Sequence, residues 1–121
     1  MAIRKAALMI FGIGIDVVNI ARFEESLLRT PSLKGRLFKG AELERPIHSL
    51  AARFAAKEAI AKAMDSKENF HWQDVEIINL ATGKPTFQLS GTTADFLAGK
   101  QVHLTLSHDS GIASAMVVIE E

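Results

Sequence analysis

Residues 49–64, SLAARFAAKEAIAKAM, decide how this chain is read, because a dense run of alanines there carries one carboxylate and several cations. Alanine has high helix propensity and no bulk, so Ala51, Ala52, Ala55, Ala56, Ala59 and Ala63 form a helix that another backbone can approach closely. Stepping four residues at a time puts Phe54, Glu58 and Lys62 on one face, with Leu50, Arg53, Lys57 and Ile60 to either side. A charge held near packed backbone needs a partner, since burying it alone costs several kcal/mol. Taken alone, the segment also fits a plain solvated helix pair between Glu58 and Lys62.

Working outward, Ile10 to Asp16 (IFGIGID) reads as a strand with two unlike faces. Phe11, Ile13 and Ile15 point one way; Gly12, Gly14 and Asp16 point the other. Glycine inside a strand marks a close approach of backbone or ligand. With the alanine-rich helix laid across that empty face, Asp16 and Glu58 converge. Two facing carboxylates repel unless a proton or a cation lies between them. Oxygen ligands without cysteine point to Mg²⁺, which takes one or two carboxylates together with phosphate and water. An isolated aspartate at a strand end is also commonly a capping residue.

The chain has 121 residues, 48% of them hydrophobic and 23% charged, which is the composition of one ordinary globular domain spanning residues 1–121. Its zero cysteines leave no disulfide and no cysteine-ligated zinc, and accord with a cytoplasmic protein. Arg4 to Ile15 superficially copies a signal peptide, but it is broken by glycines, ends on Asp16 and is too short to span a membrane; it reads as a buried strand. A net charge of zero argues against general nucleic-acid binding. Charge is nevertheless uneven. Between Arg22 and Gly40, Arg22, Arg29, Lys34, Arg36 and Lys39 face only Glu24 and Glu25, a pattern suited to an acidic partner as well as to a solvated surface.

The remaining patterns fill in an α+β fold, a mostly antiparallel sheet packed on one long helix plus smaller helices. A helix from Ile20 to Leu28 follows the first strand, with Asn19 as its cap. The long helix begins near Pro46 and runs to Met64. Strands at Val75–Leu80 and Thr86–Leu89 flank the turn Ala81–Pro85, and Thr92–Ala98 is a short helix closed by Gly99. Val102–Ser107 and Ile112–Ile119 form a hairpin through Asp109-Ser110-Gly111. The last strand is apolar on both faces around Met116 to Ile119, so both faces are expected to be covered, one of them by a neighbouring subunit.

GIGIDVVNIAR at 12–22, RFAAKEAIAKA at 53–63, GKP at 83–85 and LTLSH at 104–108 resemble, in order and spacing, the small 4'-phosphopantetheinyl transferases known as holo-[acyl-carrier-protein] synthases. The resemblance runs from about Met9 to Ile119. Two stretches depart from the family pattern: Asn19 stands where many members have Glu, and MDSKENFHW at 64–72 replaces a commonly glycine-rich stretch. The resemblance implies the 4'-phosphopantetheinyl transferase fold, a homotrimer with interfacial active sites, and transfer of 4'-phosphopantetheine from coenzyme A to a serine of an acyl carrier protein in fatty acid biosynthesis. It implies Mg²⁺ on Asp16 and Glu58, and Arg22 as the contact for the acidic carrier.

For the coenzyme, Gly83-Lys84-Pro85 offers a close backbone approach and a point charge, though the three residues alone make an ordinary turn. Ser107 and His108 offer a hydroxyl and an imidazole at a strand end. Arg53 and Lys57 are expected to reach the nucleotide, and Lys62 to neutralise the leaving pyrophosphate. Glu58 is the expected catalytic residue with Lys62 beside it, the serine proton going to Glu58 directly or through a metal-bound water. His48, His71 and His103 match no motif and read as structural. A non-catalytic module that binds carriers or assembles on the same fold is the other reading. It predicts damaged ligand positions, whereas Asp16, Glu58, Lys62 and the GKP turn are intact. A different nucleotide enzyme is disfavoured by the lack of a P-loop or Gly-x-Gly-x-x-Gly run.

Overall fold

The computed structural model describes residues 9–121. Arg4 to Leu8, the start of the signal-like stretch, lie outside the described residues. The first strand, β1 (Ile10–Asn19), runs directly into helix α1 (Ile20–Arg29). The Asn19 side chain caps that helix by accepting from the Arg22 backbone N–H at 3.0 Å. A short helix, α2 (Ser32–Leu37), and a 3₁₀ turn (Gly40–Glu44) lead to the long helix α3 (Ile47–Met64). Pro46 sits at its N-cap. Asp65, in the left-handed region at φ 50°, ends it. The 64–72 stretch continues through a 3₁₀ turn at Lys67–Asn69, and another, Trp72–Asp74, leads into β2 (Val75–Asn79). Then come β3 (Pro85–Leu89), α4 (Gly91–Phe96), β4 (Gln101–Asp109) and β5 (Ile112–Glu120).

The strands divide into two antiparallel sheets, one ordered β1-β5-β4 and the other a β2-β3 hairpin. Between β4 and β5 the turn is two residues long, Ser110 and Gly111, with φ of 51° and 79°. Two consecutive positive-φ residues match the twist of the strands they join.

Helix α3 lies across β1 and β5, and the glycines decide how closely. A Cβ at Gly12 would run into the Ala63 carbonyl, and one at Gly14 into that of Ala59. Ala51, Ala55, Ala56 and Ala59 are wholly buried. The helix is enclosed on most sides, and its middle and end leave only Phe54, Glu58, Ala61 and Lys62 unburied. The face singled out by fourfold stepping is therefore the one that stays open.

One expectation fails on exposure. Ile13, Ile15 and Val17 are about 60% exposed, at 58%, 60% and 61%, so β1 is buried on one face only. Next to them on β5, opposite Ile15, Met116 is 41% exposed, while Val117 and Ile119 lie in the core. Among the described residues, nothing covers the outer face. Among the described residues no helix is long and apolar enough to cross a membrane.

Candidate active site

Asp16 comes from the helix-facing side of β1, two residues beyond Gly14, and Glu58 from the open face of α3. Both line a groove of about 620 Å³. Its apolar wall is an aromatic stack: Phe54 lies against Phe23 at 4.9 Å between ring centroids and against Trp72 at 5.7 Å. Lys62 donates to Asp16 Oδ1 and to the Ile15 carbonyl, each at 2.9 Å. The sequence pairs Lys62 with Glu58 by spacing, but the lysine's ion-pair partner is Asp16. The short reach from α3 to β1 across glycine makes that contact available.

Among the described residues, no cation pairs with Glu58. Burial first, then the charge of Asp16, hold its carboxyl above the usual range, with Lys62 opposing. Among the described residues no cluster of three or more His, Cys, Asp or Glu gathers. Mg²⁺ does not require one, since two carboxylates plus substrate phosphate and water complete its octahedron. An all-oxygen pair, one member of which resists ionisation beside the other, is a donor set that fits this ion.

Arg22 is exposed on the rim of the same groove, one helical turn from its cap. On the other side of that rim Glu58 and Lys62 also border a shallow hollow of about 700 Å³ with Asp65 to Glu68. The atypical 64–72 stretch therefore supplies walls on both sides, including Trp72.

A second cleft, of about 400 Å³, gathers residues scattered through the sequence. Arg53, Gly83, Lys84, Pro85 and His108 line it together. Arg53 is 5% exposed, donating to Ser49 Oγ at 2.7 Å and to Asn79 Oδ1 at 3.2 Å. Burial, then the charge of Arg45, push its pKa down, and Glu42 opposes them.

Three expected coenzyme residues do not join this cleft: Lys62, bonded to Asp16, borders the other hollow, and Lys57 and Ser107 lie elsewhere. Lys57 is fully buried on another side of α3, where its ammonium donates to the Leu37 carbonyl at 2.6 Å and Glu42 Oε1 at 2.9 Å. Its ammonium is enclosed there, away from the residues that line the cleft. Ser107 precedes His108 on β4, and strand alternation turns it to the outer sheet face opposite Ser114, in a hollow with Ile15 and Met116. His48, read as structural, instead lines the cleft with its ring 5.6 Å from that of His108. Arg45, Asn79 and Ser49 were also missed. Ser49 and Arg53, spaced i and i+4, carried the one local signal for that wall. His103 is bonded to Glu120 at 2.6 Å, and the His71 backbone N–H to Thr93 Oγ1 at 3.1 Å.

Known proteins share this sequence pattern and fold. A sequence model of the 4'-phosphopantetheinyl transferase superfamily matches residues 12–115. The holo-[acyl-carrier-protein] synthase of Clavibacter sepedonicus is 50% identical over 115 residues, covering 93% of this chain and 97% of that one. Its counterpart from Streptomyces griseus is 49% identical over 121 residues, covering 93% and 99%. Among solved structures, holo-[acyl-carrier-protein] synthase from Neisseria meningitidis superposes with a TM-score of 0.85 at 32% identity, covering 93% of this chain and all 100% of that one. The Helicobacter pylori enzyme in complex with coenzyme A gives 0.78 at 32% identity, covering 88% and 98%. With half its residues shared over nearly the full length of such relatives, this chain belongs to the holo-[acyl-carrier-protein] synthases of the 4'-phosphopantetheinyl transferase superfamily.

Proposed function

We propose that this chain transfers the 4'-phosphopantetheine group of coenzyme A to a serine hydroxyl of an acyl carrier protein, releasing adenosine 3',5'-bisphosphate, in the Mg²⁺-dependent step that readies the carrier for fatty acid biosynthesis. The observation that carries the reading is the convergence of Asp16 and Glu58 beside Lys62, on a chain that separately builds a cationic cleft. Phosphoryl transfer needs positioning and charge stabilisation more than covalent help from the protein.

Asp16 and Glu58 would hold Mg²⁺, which when bound neutralises charge on the coenzyme pyrophosphate. The carrier serine supplies the nucleophile, so the chain needs none. Glu58 accepts the serine proton as the new phosphorus–oxygen bond forms. The bond from that phosphorus to the bridging oxygen breaks, and adenosine 3',5'-bisphosphate leaves with the electron pair. Lys62, half exposed and one turn beyond Glu58, offsets the charge that develops there. Arg53, Lys84 and His108 hold the nucleotide. Arg22 meets the acidic carrier at the groove's rim.

The same reading makes the chain a homotrimer with active sites between subunits, in the cytoplasm. Helix geometry supports the interfacial site. Arg53 and Glu58 are five residues apart, which turns them about 140° from each other around α3. The cleft and the carboxylate groove of one copy thus face apart, and a coenzyme spanning both draws them from adjacent copies. The uncovered apolar face of Ile13, Ile15, Val17 and Met116 supplies a surface for that neighbour.

The test is incubation of apo carrier protein with coenzyme A and Mg²⁺, followed by intact mass. The reading expects the carrier to gain one phosphopantetheinyl group only when all components are present. An unchanged carrier mass with folded protein refutes it.

A further inference from the structure

The cleft of about 400 Å³ is built for an anion, and more strongly than the sequence motifs require. Arg45, His48, Arg53, Lys84 and His108 line it, and among the described residues no acidic side chain does. Arg53 is buried there with its Nε lacking any hydrogen-bond partner, so a polar atom already taken from water still has an N–H to give. His48 stands in the first turn of α3, where free backbone N–H groups and the helix dipole add positive potential. Its ring is tilted 46° to that of His108, with centroids 5.6 Å apart. Two imidazoles so placed gain little from each other, but both can donate to one group between them.

We propose that His48 is a coenzyme-binding residue of this chain, forming with His108 a two-imidazole jaw that grips the terminal 3'-phosphate. This rests on the transferase reading above. A phosphomonoester carries about −1.5 to −2 charge at pH 7 and three acceptor oxygens. Each phosphate of the pyrophosphate is a linking group with less charge to offer. The dianion therefore gains most from five cationic or N–H-donating side chains in a cleft without carboxylates. His48 is exposed and buries nothing in the core, so its removal leaves the fold intact.

Calorimetry with coenzyme A and with 3'-dephospho-coenzyme A, in the absence of carrier, tests the assignment. His48→Ala is expected to weaken coenzyme A binding about tenfold and leave dephospho-coenzyme A binding unchanged, because the lost contact is a charge-assisted hydrogen bond to a group the second ligand lacks. In a cycle with His108→Ala, the two losses should be non-additive, since both rings serve one phosphate. Thermal melts matching wild type show that the loss is local. Equal weakening toward both ligands, or undiminished coenzyme A affinity in His48→Ala, overturns the jaw while leaving the transferase reading standing. A wild-type chain that binds no coenzyme A overturns both.

Discussion

Lys57 and Lys62 sit five residues apart on one helix, and each holds a carboxylate at 2.9 Å, yet their surroundings differ completely. Lys57 and its partner Glu42 are 0% and 1% exposed; Lys62 and Asp16 are 52% and 15% exposed. Around the buried pair every group is answered. Glu42 also accepts from the backbone N–H of Lys39 and of Ile77, both at 3.0 Å, so one carboxylate ties the 3₁₀ turn to α3 and β2. Burial pushes the Lys57 pKa down, and the hydrogen bond and charge of Glu42 resist it. Lys62 lies at the rim of a groove beside a second carboxylate and can exchange one anionic partner for another. Distance alone does not distinguish a fold-holding pair from a working one. Access to water does.

The sharpest break falls on the working side. Asp16→Asn combined with Glu58→Gln keeps shape but removes both charges, and transfer should drop about a thousandfold or more with the fold intact. Near wild-type turnover in that double variant would remove the carboxylates from the chemistry.

The largest effect on the other side is thermodynamic. Lys57→Met leaves Glu42 buried without its cation, a change that costs about 3–5 kcal/mol. Small domains have only about 5–15 kcal/mol in total. Urea unfolding measures the loss, and adding Glu42→Leu should recover much of it, because a buried pair can often be replaced by apolar groups. A Lys57→Met chain as stable as wild type would show that the pair is not a fold determinant.

A smaller effect separates the two carboxylates by pH. A carboxyl raised in the folded state binds its proton better there than in the unfolded chain, so ionised Glu58 subtracts from stability at neutral pH. Glu58→Gln without Mg²⁺ should melt higher than wild type at pH 7. The gap should close as pH falls from the raised value toward the unfolded value of about 4.3. A variant that melts lower at pH 7 contradicts this sign.

The smallest effect concerns Arg22, which is exposed; its backbone N–H bonds the Asn19 cap, its carbonyl accepts from Ser26 Oγ, and among the described residues its guanidinium has no hydrogen-bond partner. Arg22→Glu should raise KM for carrier about tenfold at low salt and flatten the dependence of kcat/KM on ionic strength, with coenzyme A affinity unchanged. Equal use of carrier by variant and wild type at low salt would move the docking surface elsewhere.

What the sequence discloses follows the same division. Gly12 and Gly14 opposite Ala59 and Ala63 are a local signature of close packing, and they led directly to the approach of Asp16 and Glu58. The fourfold step identified the open face of α3 because it needs only the helix period. Lys57 was misread because its partner comes from a 3₁₀ turn fifteen residues earlier, and burial on nearly every side of α3 erases the usual amphipathic pattern. Ser107 and His108 were read together because they are adjacent, although strand alternation sends adjacent side chains to opposite faces. His48 gave no signal, since its neighbour His108 lies sixty residues away. The apolar residues Phe11, Ile13 and Ile15 show that one face of β1 avoids polar groups, but they cannot tell cover by this chain from cover by another.

The most direct test of the two-lysine division is one transfer measurement at low temperature, with Lys57→Met and Lys62→Met compared on equal amounts of folded protein. If Lys57 serves the fold and Lys62 the leaving group, folded Lys57→Met should convert apo carrier within about threefold of wild type, whereas Lys62→Met should fall about 10- to 100-fold in kcat with little change in stability. A Lys62→Met enzyme that transfers at the wild-type rate, beside a folded Lys57→Met that does not transfer, would reverse the assignment.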